Sequence, residues 1–159
     1  MRKRPKAAQA EAQFVRGSAA LDAGRHKSAF SLFSRAASAG HAASALNLGY
    51  LYDTGTGVEQ STSKARAWYA RSFRRGELSA AVNLGILYRE AGNAHRARQW
   101  FRRGLDRGDM SAAIELAATL DGSRANRAFA CQLLRRAIES QQISSVEERK
   151  ARRLLKELE

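Results

Sequence analysis

Along this chain, apolar positions recur at helical spacing, and the pattern itself recurs. HAASALNLGYLY at 41–52 is matched by ELSAAVNLGILY at 77–88, displaced by 36 residues (77 against 41). SKARAWYARSFRRG at 63–76 is matched by HRARQWFRRGLDRG at 95–108, displaced by 32 (95 against 63). Each first segment sets small residues on one face, Ala45 and Gly49 in one copy and Ala81 and Gly85 in the other. Each second segment carries an aromatic pair, Trp68-Tyr69 or Trp100-Phe101. The 3.6-residue period predicts a helix for every segment, and a fixed repeat period predicts stacked helix pairs. Glycine-bearing breaks separate the helices of a pair, at Gly55 and Gly57 in one unit and Gly92 in the other. Gly40, Gly76 and Gly108 close successive units, where glycine suits the residue after a helix.

Two weaker copies flank these units. Upstream, Ala29, Leu32, Phe33 and Ala36 align with Ala65, Trp68, Tyr69 and Ser72, behind FVRGSAAL at 14–21. Downstream, Ala130, Leu133, Leu134 and Ala137 align with Ala97, Trp100, Phe101 and Gly104, behind AIELAATL at 113–120. End units of a stack face solvent on one side and diverge for that reason. From Ser145 the residues Ala151, Leu154, Leu155 and Leu158 form one stripe, and Ser145 with Glu148 has the spacing of a capping box. The chain has one proline, Pro5, so nothing beyond it forbids helix. The expected fold is all-α: a right-handed α-α solenoid of about four helix pairs, with residues 1–10 a basic mobile tail, 11–141 the repeats and 142–159 a C-terminal capping helix.

The residues Ala45-x-x-Leu48-Gly49-x-x-Tyr52 and Ala81-x-x-Leu84-Gly85-x-x-Tyr88 resemble the first helix of the Sel-1-like repeats, relatives of the tetratricopeptide repeats. Gly55-x-Gly57-Val58, Lys64-Ala65 and Trp68-Tyr69 complete that pattern for one unit. Ser61 stands where the family often has Asp, and both residues cap helices well. The unit ending at Gly108 lacks the Gly-x-Gly-Val loop and drifts toward the tetratricopeptide length. The resemblance implies a binding scaffold whose first helices line a concave groove. It places Leu46, Asn47, Tyr50, Val82, Asn83, Ile86 and Arg89 there, in a row with Val15 and Ile114, and puts Arg16 and Asp53 at the rims. An amide such as Asn47 or Asn83 both donates and accepts, as binding a peptide backbone requires. The same amides would serve equally to tie adjacent helices together, with the apolar neighbours as ordinary core, and both readings stand at this point.

Charge adds a second surface. The formal net charge is +13, from 28 basic and 15 acidic residues. Between residues 11 and 141, every Lys and Arg except Arg16 and Arg89 falls in a second helix or its first turn. The first helices and loops hold most of the acids, including Asp22, Asp53, Glu59, Glu77, Glu90, Glu115 and Asp121. Arg35, Arg71, Arg103 and Arg136 occupy equivalent places, with Arg66 and Arg98 beside them, so packed helices would repeat this ladder at about 8–10 Å. Such a stripe suits an acidic protein surface or phosphates, although arginine-rich coding alone would also produce a solvated basic face. Trp68, Tyr69, Trp100 and Phe101 are expected in the core rather than as base-stacking platforms. Nucleic acid is therefore the less favoured partner.

Candidate chemistry is sparse. His26, His41 and His95 fall in different units near helix starts, and no nucleophile–base pair, paired carboxylates or metal-ligand spacing accompanies them. One cysteine, Cys131, excludes an internal disulfide and fits a reducing compartment. No run approaches the ~18 apolar residues needed to cross a membrane. The expectation is a cytoplasmic, non-catalytic bacterial adaptor without cofactor or metal. It would bind a peptide or helix of a protein partner in its groove and an acidic partner on its basic face. A nucleic-acid-associated protein and a homo-oligomeric structural module are the alternatives.

Overall fold

A computed structural model describes residues 6–120 and 123–159. The described residues form nine helices: α1 (Lys6–Asp22), α2 (His26–Ser38), α3 (Ala42–Thr54), α4 (Thr62–Arg74), α5 (Ser79–Glu90), α6 (Ala94–Asp106), α7 (Met110–Ala117), α8 (Arg124–Glu139) and α9 (Ser145–Leu158). They fall into two compact units, one ending at Ala80 and holding α1–α4, the other holding α5 from Ala81 onward to α9.

Polar caps start most of these helices. Ser61, Asn93, Asp109 and Ser123 accept a backbone N–H at the starts of α4, α6, α7 and α8, which satisfies donors that a helix leaves unpaired. At α9 the capping box is Ser144 with Glu147, one residue earlier than the sequence suggests. Both Ser-x-x-Glu spacings exist there. Ser144 wins because its extended backbone lets its N–H reach Glu147 Oε2 at 2.8 Å.

Each of the three second helices α2, α4 and α6 ends on the same turn. Gly40, Gly76 and Gly108 adopt φ of 104°, 105° and 96°, and the next residue's N–H returns to the carbonyl of Ala36, Ser72 or Gly104. The left-handed backbone needs glycine, and the bond closes the helix end. The loop from α3 to α4 is fixed differently. A Cβ on Gly57 would sit 2.7 Å from the His26 backbone, so this glycine lets the loop rest on the start of α2.

Within each of the first three helix pairs an aromatic ring fills the space that glycine leaves. A Cβ on Gly17 would meet Phe33 Cε1 at 2.7 Å, and one on Gly49 or Gly85 would overlap the Tyr69 or Phe101 ring more deeply still. Phe33, Phe101 and Tyr69 are 0%, 0% and 1% exposed, so the rings are fully inside. Ala117 and Leu134 hold the corresponding places in the last pair and belong to one buried cluster. Ser72 adds a polar pin, its buried hydroxyl donating to the Ala42 carbonyl at 2.9 Å. Ala151 of α9 is buried in the second unit's core, and Leu154, Leu155 and Leu158 pack against that core as the stripe requires.

The first residues differ from expectation. Residues 6–10, expected in a mobile tail, form the opening of α1, and Ala10 is buried. The alanine-rich stretch after Pro5 has high helix propensity and nothing to break it. Residues 1–5 of that tail, and Asp121, lie outside the described residues.

Replacing Gly49 or Gly85 by Ala forces a methyl into an aromatic ring. Overpacking of this kind costs about 1–3 kcal/mol. Urea unfolding followed by circular dichroism should show a lowered midpoint for each variant; unchanged midpoints would contradict the ring-into-glycine packing.

Candidate interaction surfaces

The first helices present one surface in each unit. On α3, Leu46 and Asn47 are half-buried and Tyr50 is 49% exposed. Tyr50 follows Leu46 by four residues and Asn47 by three, spacings that make it a neighbour of each on the helix surface. Val15 on α1 is also exposed, at 56%. His41 ties these two helices: its ring lies 4.7 Å from that of Phe14, Nε2 is 3.0 Å from Glu11, and Nδ1 accepts the Ser44 N–H at the start of α3. On α5, Val82, Asn83 and Ile86 are half-buried, with Val82 and Ile86 resting on the core of the second unit. Among the described residues, neither Asn47 nor Asn83 makes a side-chain hydrogen bond.

Two of the sequence assignments shift. Ile114 is 1% exposed and belongs to the core, because α7 is short and apolar on nearly every side. Arg89 is exposed, yet its Nη1 donates to Glu115 at 2.8 Å, and Lys150 of α9 holds the other oxygen of that carboxylate. Burial alone would raise the Glu115 pKa. Hydrogen bonds from Lys150 and Arg89, with their charges, outweigh it and hold the group below its ordinary value. This bridge joins α5, α7 and α9, a link the sequence could not reveal because its partners are far apart in the chain.

The second helices carry a different arrangement. The Arg71 guanidinium lies over the Trp68 ring at 5.1 Å from its centroid, and Arg103 lies over Trp100 at 4.6 Å. A further cation–aromatic pair also recurs, Lys64 over Tyr52 and Arg96 over Tyr88. Contacts of this kind are worth about 0.5–1 kcal/mol at exposed sites. Tyr69 and Phe101 are core residues as expected, whereas Trp68 and Trp100 are only half-buried and support arginines. The i, i+3 spacing of Trp68 to Arg71 and Trp100 to Arg103 was the available signal for this pairing. Arg75 donates to the Ala37 carbonyl at 2.9 Å; desolvation, then the charges of Arg71 and Arg74, lower its pKa. Arg98 donates to the Thr119 carbonyl near the end of α7 and so serves the fold. Arg66 is half-buried and engaged within the structure. Arg35 is exposed on a shallow hollow with Lys6, Gln9 and Gln13. Arg136 is exposed near Cys131 and Arg135, the last paired with Glu159 at 2.7 Å.

His26 opens α2, His41 caps α3 and His95 lies on α6. Among the described residues no three His, Cys, Asp or Glu gather as a metal site. Buried Tyr69 has its pKa pushed well up by desolvation and by Asp53. No described helix is long and apolar enough to cross a membrane.

The family model for the Sel1 repeat matches four consecutive stretches, residues 21–41, 42–77, 78–109 and 111–141. The chain belongs to the Sel1 repeat family. A Sel1 repeat protein from Oxalobacter formigenes is similar in structure, with a TM-score of 0.69 and 26% identity over 82% of this chain. A protective antigen of uropathogenic Escherichia coli with an SLR fold gives a TM-score of 0.62 at 20% identity over 94% of this chain, a likeness of fold alone. This chain spans 58% and 45% of those two proteins. No curated protein matches it. The Sel1 fold class is the all-α solenoid, and Sel1 repeats generally mediate protein–protein interaction.

The Glu115 bridge has a definite pH signature. Its lowered folded-state pKa contributes stability that is present at neutral pH and lost as pH falls through that pKa. Glu115→Gln should therefore lower the urea midpoint at pH 7, with the difference from wild type fading as pH falls below the ordinary carboxylate range. A pH-independent difference would contradict it.

Proposed function

We propose that this Sel1 repeat chain is a non-catalytic scaffold that holds a peptide or helix of a partner protein on the face of its first helices. The observation that carries the reading is the state of Asn47 and Asn83. Both amides are half-buried, and among the described residues neither has a side-chain hydrogen bond. A half-buried amide loses part of its hydration, and a partner backbone supplies both a donor and an acceptor to replace it. Leu46 and Tyr50 beside Asn47, and Val82 and Ile86 beside Asn83, offer apolar contact for the partner's side chains. Arg89 is held by Glu115 and contributes to the architecture more than to the partner. The basic second-helix face serves as the site for an acidic protein surface, supported by the excess of 28 basic over 15 acidic residues.

The test begins with affinity capture from native lysate after nuclease treatment, identification of the retained protein by mass spectrometry, and titration of that protein in purified form. Asn47→Ala with Asn83→Ala should weaken its binding about tenfold, the loss of two ordinary hydrogen bonds, while leaving the thermal melt unchanged. Full affinity in the double variant would remove the first-helix face from the account. Capture that disappears with nuclease would make nucleic acid the partner, and a second copy of this chain as the retained protein would make it a structural module.

A further inference from the structure

We infer that Arg71 on Trp68 and Arg103 on Trp100 are two equivalent carboxylate clamps, one in each unit, that receive Asp or Glu side chains of an acidic protein segment. The inference rests on the scaffold reading for the class of partner, but it concerns the opposite helices and stands on its own observations.

The first is that these arginines are held but not paired. Each guanidinium lies over an indole ring, at 5.1 and 4.6 Å from the centroid. Among the described residues neither arginine forms an ion pair or a hydrogen bond. Some arginines elsewhere do have carboxylate partners: Arg89 has Glu115, Arg135 has Glu159 and Arg152 has Glu148. The second is that local acids are few, and Asp106, three residues after Arg103, forms no ion pair with it. Helices α2 and α4 contain no Asp or Glu, and α6 contains only Asp106 at its last position.

Fixing an arginine side chain costs rotamer entropy. Resting on an indole meets part of that cost before any partner arrives. Stacking uses the face of the guanidinium and leaves its N–H edge available, and that edge matches two carboxylate oxygens at once. The arrangement favours acidic protein over single-stranded nucleic acid. Base stacking needs an open aromatic face, and here each indole carries an arginine.

Trp68 and Trp100 are the only two tryptophans of the chain, so binding at the clamps reads out in intrinsic fluorescence. The probe is a synthetic Glu-rich peptide, with a Gln-rich peptide and an oligothymidylate as comparisons at equal salt. The Glu-rich peptide should give a saturable fluorescence change, and the Gln-rich peptide none. Arg71→Gln or Arg103→Gln should each weaken binding about tenfold, one charge-assisted interaction, and the pair together should abolish it. Arg71→Lys with Arg103→Lys keeps the charge but not the planar fork, and should also weaken it. Arg135→Gln, which removes a paired arginine, should leave binding unchanged, as should Asn47→Ala with Asn83→Ala. Failure of the first-helix reading therefore leaves this result standing. Melts by circular dichroism confirm that each variant is folded. Unaltered affinity in the folded double Gln variant would overturn the clamps. Equal affinity of the Lys variant would reduce them to point charges, and tighter binding of the oligothymidylate would overturn the assignment to acidic protein.

Discussion

The first three helix pairs of this chain each close on an aromatic ring seated where a glycine has no side chain. Phe33 meets Gly17, Tyr69 meets Gly49 and Phe101 meets Gly85. The contact brings the second helix close enough that even a methyl group on the first would collide. It buries each ring almost completely, and such burial is worth roughly 1.5–3 kcal/mol per large apolar side chain. Because the ring is fixed, the rotation of the second helix about its own axis is fixed as well. The residue preceding the ring, Trp68 or Trp100, is then turned partly outward, and the arginine three places later is set upon it.

The same constraint determines what the first helix exposes. With Gly49 and Leu48 turned inward, Leu46, Asn47 and Tyr50 fall at the margin or outside. With Gly85 and Leu84 inward, Val82, Asn83 and Ile86 fall likewise. One packing event in each of the two central pairs thus produces both an amide-bearing apolar face and a basic face. Repetition in sequence copies both.

Much of the fold was legible because the repeat is written in residue types with strong steric meaning. Glycine at 40, 76 and 108 marks helix ends, and glycine at 49 and 85 beside distant aromatics marks close packing. The equivalence of Gly17 was harder to see, since FVRGSAAL has lost the leucine and tyrosine of the central copies. The start of α1 and the one-residue position of the α9 capping box depended on competition between adjacent choices that spacing alone does not decide. On the surfaces, the positions of Asn47 and Asn83 could be named, whereas their lack of intramolecular hydrogen bonds could not. The Glu115 bridge was hidden because Arg89, Glu115 and Lys150 come from three separate helices. The tryptophans were read as core because their neighbours are core. Their stacked arginines show that an apolar stripe can have a half-exposed edge.

The most direct measurement is a nitrogen-15 NMR spectrum of the chain recorded with and without its purified protein partner, following the side-chain amides of Asn47 and Asn83. Burial of these amides against a partner backbone should move both pairs of resonances at saturation. Amide resonances that stay in place while the partner is bound would contradict the account and leave the first-helix face without a role in recognition.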